Sequence, residues 1–415
     1  SGWINPYDMR RTSDGSRIDL PFRPAELEWN YALGNFEFRS RTAIESRWNT
    51  LDRSRLQFRE AYLVWYPSWG EFKAGKQIYA WGLADGNNPT DNLNPYDYYY
   101  LFLTGIDRKV ATLSAAATLY LGDAELDLVF LPEHEDNRFP FNEPDFPIPL
   151  PPKPDHIVRP DRAWESGTRL KLVLGDWDLD LSWFHGNDRS FSLQGFTFQM
   201  GVDSSGNPVP NSTPYMGYNR SDAIGSGFVW FPGSITLRGE GMWVRSEAPD
   251  LDNLALDYKT GVKADYLQYV LQSEMNGPFD LTIMAQYIGT RVLDYSYAEL
   301  PPDPPGTAIL LQANPDLNDY HPGLGTPFAI VAENGLMLGA TGKYFDDRLE
   351  LRSNGFKDLD HPGLMAGAGL SYSPVEAWSL DLDGVWFFGD PDDPENRFTQ
   401  LESFSNLRLG MKYSF

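Results

Sequence analysis

The chain has 415 residues and no cysteine, which excludes thiolate metal sites, cysteine nucleophiles and disulfide bonds. Its net charge of -24 argues against nucleic-acid binding, because phosphate contacts need a surplus of Lys and Arg on one face. The sequence contains no apolar run of about 18 residues, so it predicts no transmembrane helix.

In chain order, the sequence divides into pairs of segments in which apolar and polar residues alternate, each segment being about ten residues long. A very short turn joins the two segments of each pair, and Gly-Asp, Pro-Gly and Asn-Gly are typical hairpin sequences. The pairs therefore predict β-hairpins. Their turns fall at 34–35, 67–70, 122–123, 175–176, 231–234, 276–279, 345–348 and 374–376.

Long connections rich in Pro, Asn, Asp and Gly separate the hairpins. They cover 83–108, 135–163, 187–221, 299–326 and 388–400. Alternation of short turns with long loops is typical of an outer-membrane barrel, with the turns in the periplasm and the loops outside the cell. A soluble β-sandwich with one wet face is the alternative, but it has no reason to keep every second connection short.

These elements predict an all-β fold, a single transmembrane antiparallel up-and-down β-barrel over residues 1–415. Seventeen segments can be counted from Ala25 onward, and a single-chain barrel with both ends in the periplasm needs an even number of strands. Residues 1–23 supply the eighteenth strand if they form an irregular one. We favour eighteen strands, with sixteen as the alternative.

The closing strand indicates which face meets lipid. Phe415, Tyr413, Met411, Leu409 and Leu407 alternate with polar residues, so this apolar set is predicted to face lipid and the charged alternates the lumen. A mean hydropathy of -0.42 is compatible with this arrangement, because only alternate residues of a barrel strand meet lipid.

Charged residues on the inward register predict a charged lumen. The basic set is Arg39, Arg41, Arg47, Arg55, Arg59, Arg169, Lys171, Arg238, Arg352, Arg408 and Lys412. The acidic set is Asp127, Asp178, Asp180, Asp381 and Asp383. One interpretation is a basic wall that attracts anionic or polar solutes. The alternative is that these charges pair across the barrel and simply fill it, since buried charges need partners.

Two of the long loops carry predictions of their own. Asp85, Asn87 and Asp91 belong to a run of oxygen-bearing side chains that a structural calcium ion would suit, with Asx-turns as the alternative. The segment 140–160 holds eight prolines. We therefore expect 135–163 to be a stiff extracellular loop that either narrows the pore or rests on the rim.

Catalytic signatures are missing from the sequence. The five histidines lie in loops or at strand ends, and no nucleophile elbow, phosphate-binding loop or zinc spacing occurs. The sequence therefore predicts that the protein is not an enzyme, and an outer-membrane hydrolase is the remaining alternative.

The terminal "MKYSF" resembles the C-terminal signature of Gram-negative outer-membrane proteins. This resemblance implies that Tyr413 and Phe415 form the signal read by the barrel assembly machinery. The stretch from Gly75 to Asp97, with Trp81-Gly82 and Asn94-Pro95, looks like a motif of substrate-specific porin-like barrels. Alginate-export-type channels and related outer-membrane proteins are the nearest subfamily that it suggests.

Together these features predict a protein of the bacterial outer membrane that contacts lipid and lipopolysaccharide. The predicted function is a porin-like channel for diffusion or export of polar, anionic solutes, such as acidic saccharides, through an Arg-lined lumen. No cofactor is predicted apart from the loop calcium. A non-conducting barrel that serves as a scaffold or sheath for a protein partner is the alternative.

Overall fold

The computed structural model describes residues 1–50, 54–103, 105–148, 150, 153–202, 206–298, 320–326, 331–393 and 396–415. The strands are β1 (Gly2–Ile4), β2 (Tyr7–Arg11), β3 (Phe22–Leu33), β4 (Phe36–Ser46), β5 (Arg55–Trp65), β6 (Gly70–Gln77), β7 (Thr112–Leu121), β8 (Ala124–Leu131), β9 (Ile157–Val158), β10 (Glu165–Leu174), β11 (Trp177–Asn187), β12 (Ser192–Val202), β13 (Pro208–Gly217), β14 (Arg220–Trp230), β15 (Ile235–Glu247), β16 (Tyr258–Lys259), β17 (Lys263–Asn276), β18 (Leu281–Ser296), β19 (Asn334–Tyr344), β20 (Leu349–Asp358), β21 (Gly363–Val375), β22 (Trp378–Phe388) and β23 (Asn406–Ser414). A short α-helix, α1 (Arg397–Leu401), precedes the last strand.

The main sheet closes on itself as an antiparallel barrel of eighteen strands, which confirms the predicted fold and strand number. The eighteenth strand is the irregular one expected at the start of the chain. It consists of β1 and β2, which both pair with β23. The backbone groups of Gly2 and Phe415 exchange two hydrogen bonds of 2.9 Å, so the two ends of the chain seal the barrel together.

The short turns lie where the sequence predicted them. Gly34, Gly122 and Gly175 begin two-residue turns with φ values of 59°, 70° and 63°. A two-residue turn whose twist matches that of the strands needs positive φ, which glycine adopts without strain. These glycines therefore fix the register of their hairpins.

The described parts of the long connections leave the barrel at the opposite rim, and one of them contains structure that the sequence did not predict. Strands β12 and β13 form a hairpin inside the connection 187–221, and β9 and β16 extend it to a four-stranded sheet. The many Pro and Asn residues of this connection favoured a loop. A hairpin forms instead because the residues of β12 pair with those of β13, which lies in the same connection. The predicted connection 299–326 lies largely outside the described residues.

The outer surface of the barrel is apolar. Leu409 and Phe415 are exposed on the closing strand, as the alternation predicted. Exposed tryptophans mark both ends of the strands: Trp177 and Trp378 begin their strands beside short turns, whereas Trp164 lies just before β10 at the loop side. An apolar band between two aromatic belts is the lipid-facing surface of a transmembrane barrel.

Among the described residues, no helix is long and apolar enough to cross a membrane.

Candidate functional site

The connection between β6 and β7, residues 78–111, crosses the lumen, and we call it the inward loop. On one wall, the guanidinium of Arg59 on β5 donates to the Asp107 carboxylate and to the Ile106 carbonyl, both at 2.7 Å. On the other wall, the loop contacts Glu240 of β15. Strand β5 is the fourth and β15 the eleventh of the eighteen barrel strands, so these walls lie nearly opposite one another.

Glu240 is the central anchor of the inward loop. Its side chain lies on the lumen register of β15 and is 5% exposed. One carboxylate oxygen accepts the backbone N–H groups of Leu83 and Ala84, and the other accepts the hydroxyl of Thr90 at 3.0 Å. Thr90 reaches this position because Gly225 on β14 leaves room: a Cβ there would lie 2.6 Å from the Thr90 methyl.

A second set of contacts holds the same loop to β17 and β18. Gln272 accepts the Asp85 N–H at 2.9 Å and donates to the Asp85 carboxylate at 2.7 Å. Gln286 donates to the Asp85 carbonyl at 2.7 Å and accepts from the Asn87 amide at 3.1 Å. The loop is thus hydrogen-bonded to three adjacent strands of one wall.

The three residues predicted to hold calcium all accept hydrogen bonds from protein groups. Asp85 and Asn87 bond to the wall glutamines, and Asn87 also accepts the Thr326 hydroxyl at 2.8 Å. Asp91 accepts the Trp81 N–H at 3.1 Å and pairs with the Lys109 ammonium. Within the described residues, no three His, Asp or Glu side chains are grouped to hold a metal ion. Calcium binding here stays a prediction.

The predicted basic lumen residues are placed on the inner wall and at the loop-side rim, and ten of the eleven form ion pairs. The pairs are Arg39–Glu37 (2.8 Å), Arg41–Glu26 (2.6 Å), Arg47–Glu143 (2.5 Å), Arg55–Glu45 (2.8 Å), Arg59–Glu26 (3.2 Å), Arg169–Asp127 (2.8 Å), Lys171–Glu125 (2.5 Å), Arg238–Asp85 (3.5 Å), Arg352–Asp383 (3.0 Å) and Arg408–Asp383 (2.7 Å). The ammonium of Lys412 lies 5.4 Å from the ring centroid of Trp3. These contacts fit the alternative in which lumen charges partner one another.

The predicted acidic residues take part in the same wall. Asp180 lies 3.8 Å from Arg169, and Asp381 accepts the hydroxyls of Ser371 and Ser379. Asp178 is half-buried on the same register of β11. Sequence reasoning missed Glu26 and Glu240, although both lie on polar registers of alternating strands. Their hydrogen-bond partners are distant in sequence, so the register alone could not predict what these two carboxylates bind.

The described part of the Pro-rich connection 135–163 contacts both the barrel wall and the inward loop. Arg138 pairs with Glu45 on β4 at 2.7 Å and with Asp97 of the inward loop at 2.9 Å. Glu143 of this connection pairs with Arg47. Three prolines of the connection lie outside the described residues. A constricting role for this connection stays a prediction, whereas the inward loop is the segment bonded to opposite walls.

A buried ion cluster joins the start of β10 to the inward loop, and sequence reasoning missed it. Arg189 pairs with Glu165 at 2.6 Å and donates to the carbonyls of Asn92 and Leu93 at 3.1 Å. His134 bonds to the same Glu165 carboxylate at 2.8 Å. Arg189 is 3% exposed and Glu165 is fully buried, so each charge depends on the other.

Asp188, just beyond β11, is expected to make the free energy of unfolding depend on pH. Burial raises the pKa of Asp188 from 3.8 to about 6, although the Ser221 and Ser246 hydroxyls donate to it. Because the folded-state pKa is raised, stability is expected to fall as the pH rises from about 4 to about 6. Asp188→Asn should remove this fall and raise the free energy of unfolding at pH 7 by up to about 3 kcal/mol. Denaturant unfolding followed by tryptophan fluorescence, at about pH 4 and at pH 7, measures the free energy of unfolding of the unmodified protein and of the variant.

No protein-family model and no curated protein sequence matches the chain. Three similar solved structures come from Pseudomonas aeruginosa. OccD3 (OpdP) has a TM-score of 0.52 and 11% identity, covering 99% of this chain and 90% of that one. OccK11 (OpdR) has a TM-score of 0.51 and 13% identity, covering 100% of this chain and 94% of that one. OccK5 (OpdH) has a TM-score of 0.50 and 12% identity, covering 100% of this chain and 96% of that one.

The chain has the porin fold. The neighbours are outer-membrane β-barrel porins, and at these identities the likeness establishes the fold alone. The apolar band and the aromatic belts fit the predicted location in a bacterial outer membrane. The alginate-export subfamily gains no support from these structures.

Proposed function

We propose that the protein is a solute-selective outer-membrane channel for small polar molecules, with the inward loop as its constriction. The observation that carries this proposal is the bonding of one loop to opposite walls of an eighteen-strand barrel. A barrel of this size encloses an aqueous channel unless something fills it. A tethered loop across that channel would exclude large solutes and leave polar side chains to select among small ones. The similar Occ structures are substrate-specific channels, which supports the proposal.

The choice of solute is the finer part of the proposal. An anion preference was predicted from the arginines. The ten paired cations share eight carboxylates in those ion pairs, but Arg41, Arg59 and Arg352 each contact a further carboxylate. These carboxylates belong to Glu28, Asp107 and Glu350, so the paired cations do not outnumber their acidic partners. An acidic polysaccharide would moreover need the inward loop to leave the lumen. We therefore propose small solutes rather than polymers.

Planar-bilayer recordings test the channel directly. We expect discrete conductance steps in KCl and a reversal potential close to zero in a salt gradient, because paired charges favour neither ion. A strong anion preference would contradict the expected lack of ion selectivity and would support the predicted basic pore wall. A barrel that adds no conductance at any voltage would contradict the channel proposal.

A non-conducting barrel with a scaffold role is the second candidate, and one observation favours it. Two buried apolar clusters join the inner wall to the loops, one around Tyr266 and Leu324 and the other around Phe356 and Phe398. Such clusters would close the loop-side mouth. Stoichiometric co-purification of a protein partner, together with absent conductance, would support this candidate. That the protein is not an enzyme stays a prediction.

A further inference from the structure

A cavity of about 230 Å³ lies between the inward loop and the wall formed by β6, β7, β8 and β10. Ile78, Tyr79, Ala80 and Trp81 of the loop line one side of it. A volume of this size has room for several waters, which suits a solute of amino-acid size. Ala116 contributes a small side chain to the wall, and this leaves space beneath the loop.

The charged lining of this cavity is balanced. It has three cations and three carboxylates, namely Lys73, Arg169, Lys171, Glu71, Glu125 and Asp127. The strand register places Asp127 directly opposite Arg169, and Glu125 directly opposite Lys171. Both signs therefore alternate across one patch of wall instead of forming separate basic and acidic zones.

One of the three pairs is structural. Arg169 donates to Asp127 through two nitrogens, at 2.8 and 3.1 Å, and its guanidinium lies 5.1 Å from the ring centroid of Trp81. Both side chains are about one-tenth exposed. Asp180, which shares Arg169, is 2% exposed and does not line the cavity. This pair fixes the centre of the patch and holds the loop against it.

The other two pairs present their charged ends to the cavity. Lys171 and Glu125 are 2.5 Å apart and about one-third exposed, and Lys73 and Glu71 are also 2.5 Å apart. A lysine ammonium has three donors and a carboxylate has about four acceptor positions, so one contact leaves each group with unused capacity. The cavity thus offers free donors on cations and free acceptors on anions.

We propose that this cavity binds a small zwitterion, a molecule of amino-acid size that carries one ammonium and one carboxylate. A solute with a single charge would leave an opposite lining charge poorly compensated in a partly desolvated site. A zwitterion can pair with a lysine and a carboxylate at once, without a change in net charge. The proposal rests on the proposed channel function and names its solute class.

Uptake into proteoliposomes that contain the full chain tests this proposal. The probes are L-alanine, propionate, which lacks the ammonium, and ethylammonium, which lacks the carboxylate; glycerol reports on the open channel. We expect L-alanine uptake to saturate with concentration, and propionate and ethylammonium to compete about 10-fold less well than unlabelled L-alanine, because each loses one charged contact.

Variants of the exposed pair sharpen the test. Glu125→Gln and Lys171→Gln should each raise the half-saturating L-alanine concentration about 10-fold, and should shift the preference toward propionate and ethylammonium respectively. The matched controls are Lys343→Gln and Glu350→Gln, a cross-strand pair on β19 and β20, which should leave L-alanine uptake as it was.

Two results would overturn the proposal in distinguishable ways. If glycerol enters while L-alanine uptake neither saturates nor responds to the Glu125 and Lys171 variants, the zwitterion site is wrong and the channel stands. If neither glycerol nor L-alanine enters liposomes that hold folded barrel, the channel function fails and the site fails with it.

Discussion

Replacing Glu240 with alanine is expected to raise the single-channel conductance by about two-fold or more, because conductance follows the free cross-section of the pore. The carboxylate accepts hydrogen bonds from Leu83, Ala84 and Thr90, and bonds to a charged group contribute about 1.5–3 kcal/mol each. Without it, the central anchor of the inward loop is lost. Planar-bilayer recordings measure the change, and limited proteolysis should cut within 78–111 more quickly.

Two further variants make this expectation specific. Thr90→Val removes only one of the three donors at nearly constant size, so its effect should be smaller. Glu274→Ala removes another lumen-register carboxylate, at the turn end of β17, which has no hydrogen bond to the inward loop among the described residues. Equal conductance in the Glu240 and Glu274 variants would mean that Glu240 does not hold the loop.

Replacing Arg189 with methionine is expected to destabilise the packing of the loops by about 3–5 kcal/mol, because it leaves the fully buried Glu165 without its guanidinium partner. The change also removes the donors that bind the carbonyls of Asn92 and Leu93. The barrel strands have their own hydrogen-bond ladder and should persist. The measurements are the temperature at which the folded band disappears in gel electrophoresis and the proteolysis rate of the inward loop.

The double variant Arg189→Met, Glu165→Gln is the matched control for this prediction. It removes the stranded charge, so we expect it to regain part of the stability that the single variant loses. If the single variant is as stable as the unmodified protein, the cluster does not stabilise the loops. If the double variant is no more stable than the single one, the cost lies in the lost carbonyl contacts.

The barrel could be predicted from the sequence because its signals are local. Alternation along each strand decides which side chains share a face, and positive-φ glycines such as Gly34 and Gly122 mark the hairpins. The interrupted first strand could be predicted only indirectly, because seventeen strands were counted and a barrel of this kind needs an even number. The hairpin of β12 and β13 was not, since its composition matches a loop and the strands that pair with its two edges, β9 and β16, lie in other connections.

The candidate site was predicted only in part. The inward registers of Arg169, Lys171 and Asp127 followed from alternation, yet their pairing did not. Calcium was predicted for Asp85, Asn87 and Asp91 from composition and stays a prediction. The protein partners of these residues, which composition does not reveal, are Gln272, Gln286, Thr326, Trp81 and Lys109.

The sequence by itself determined the barrel, its strand order and the two faces of each strand, because neighbours along a meander are neighbours in the sheet. Only the tertiary structure decided what occupies the lumen. Glu240 meets Leu83 across 157 residues of chain, and Arg189 meets Asn92 across 97. No periodicity records such distances. They follow from the closure of eighteen strands, which brings opposite walls within reach of a single loop.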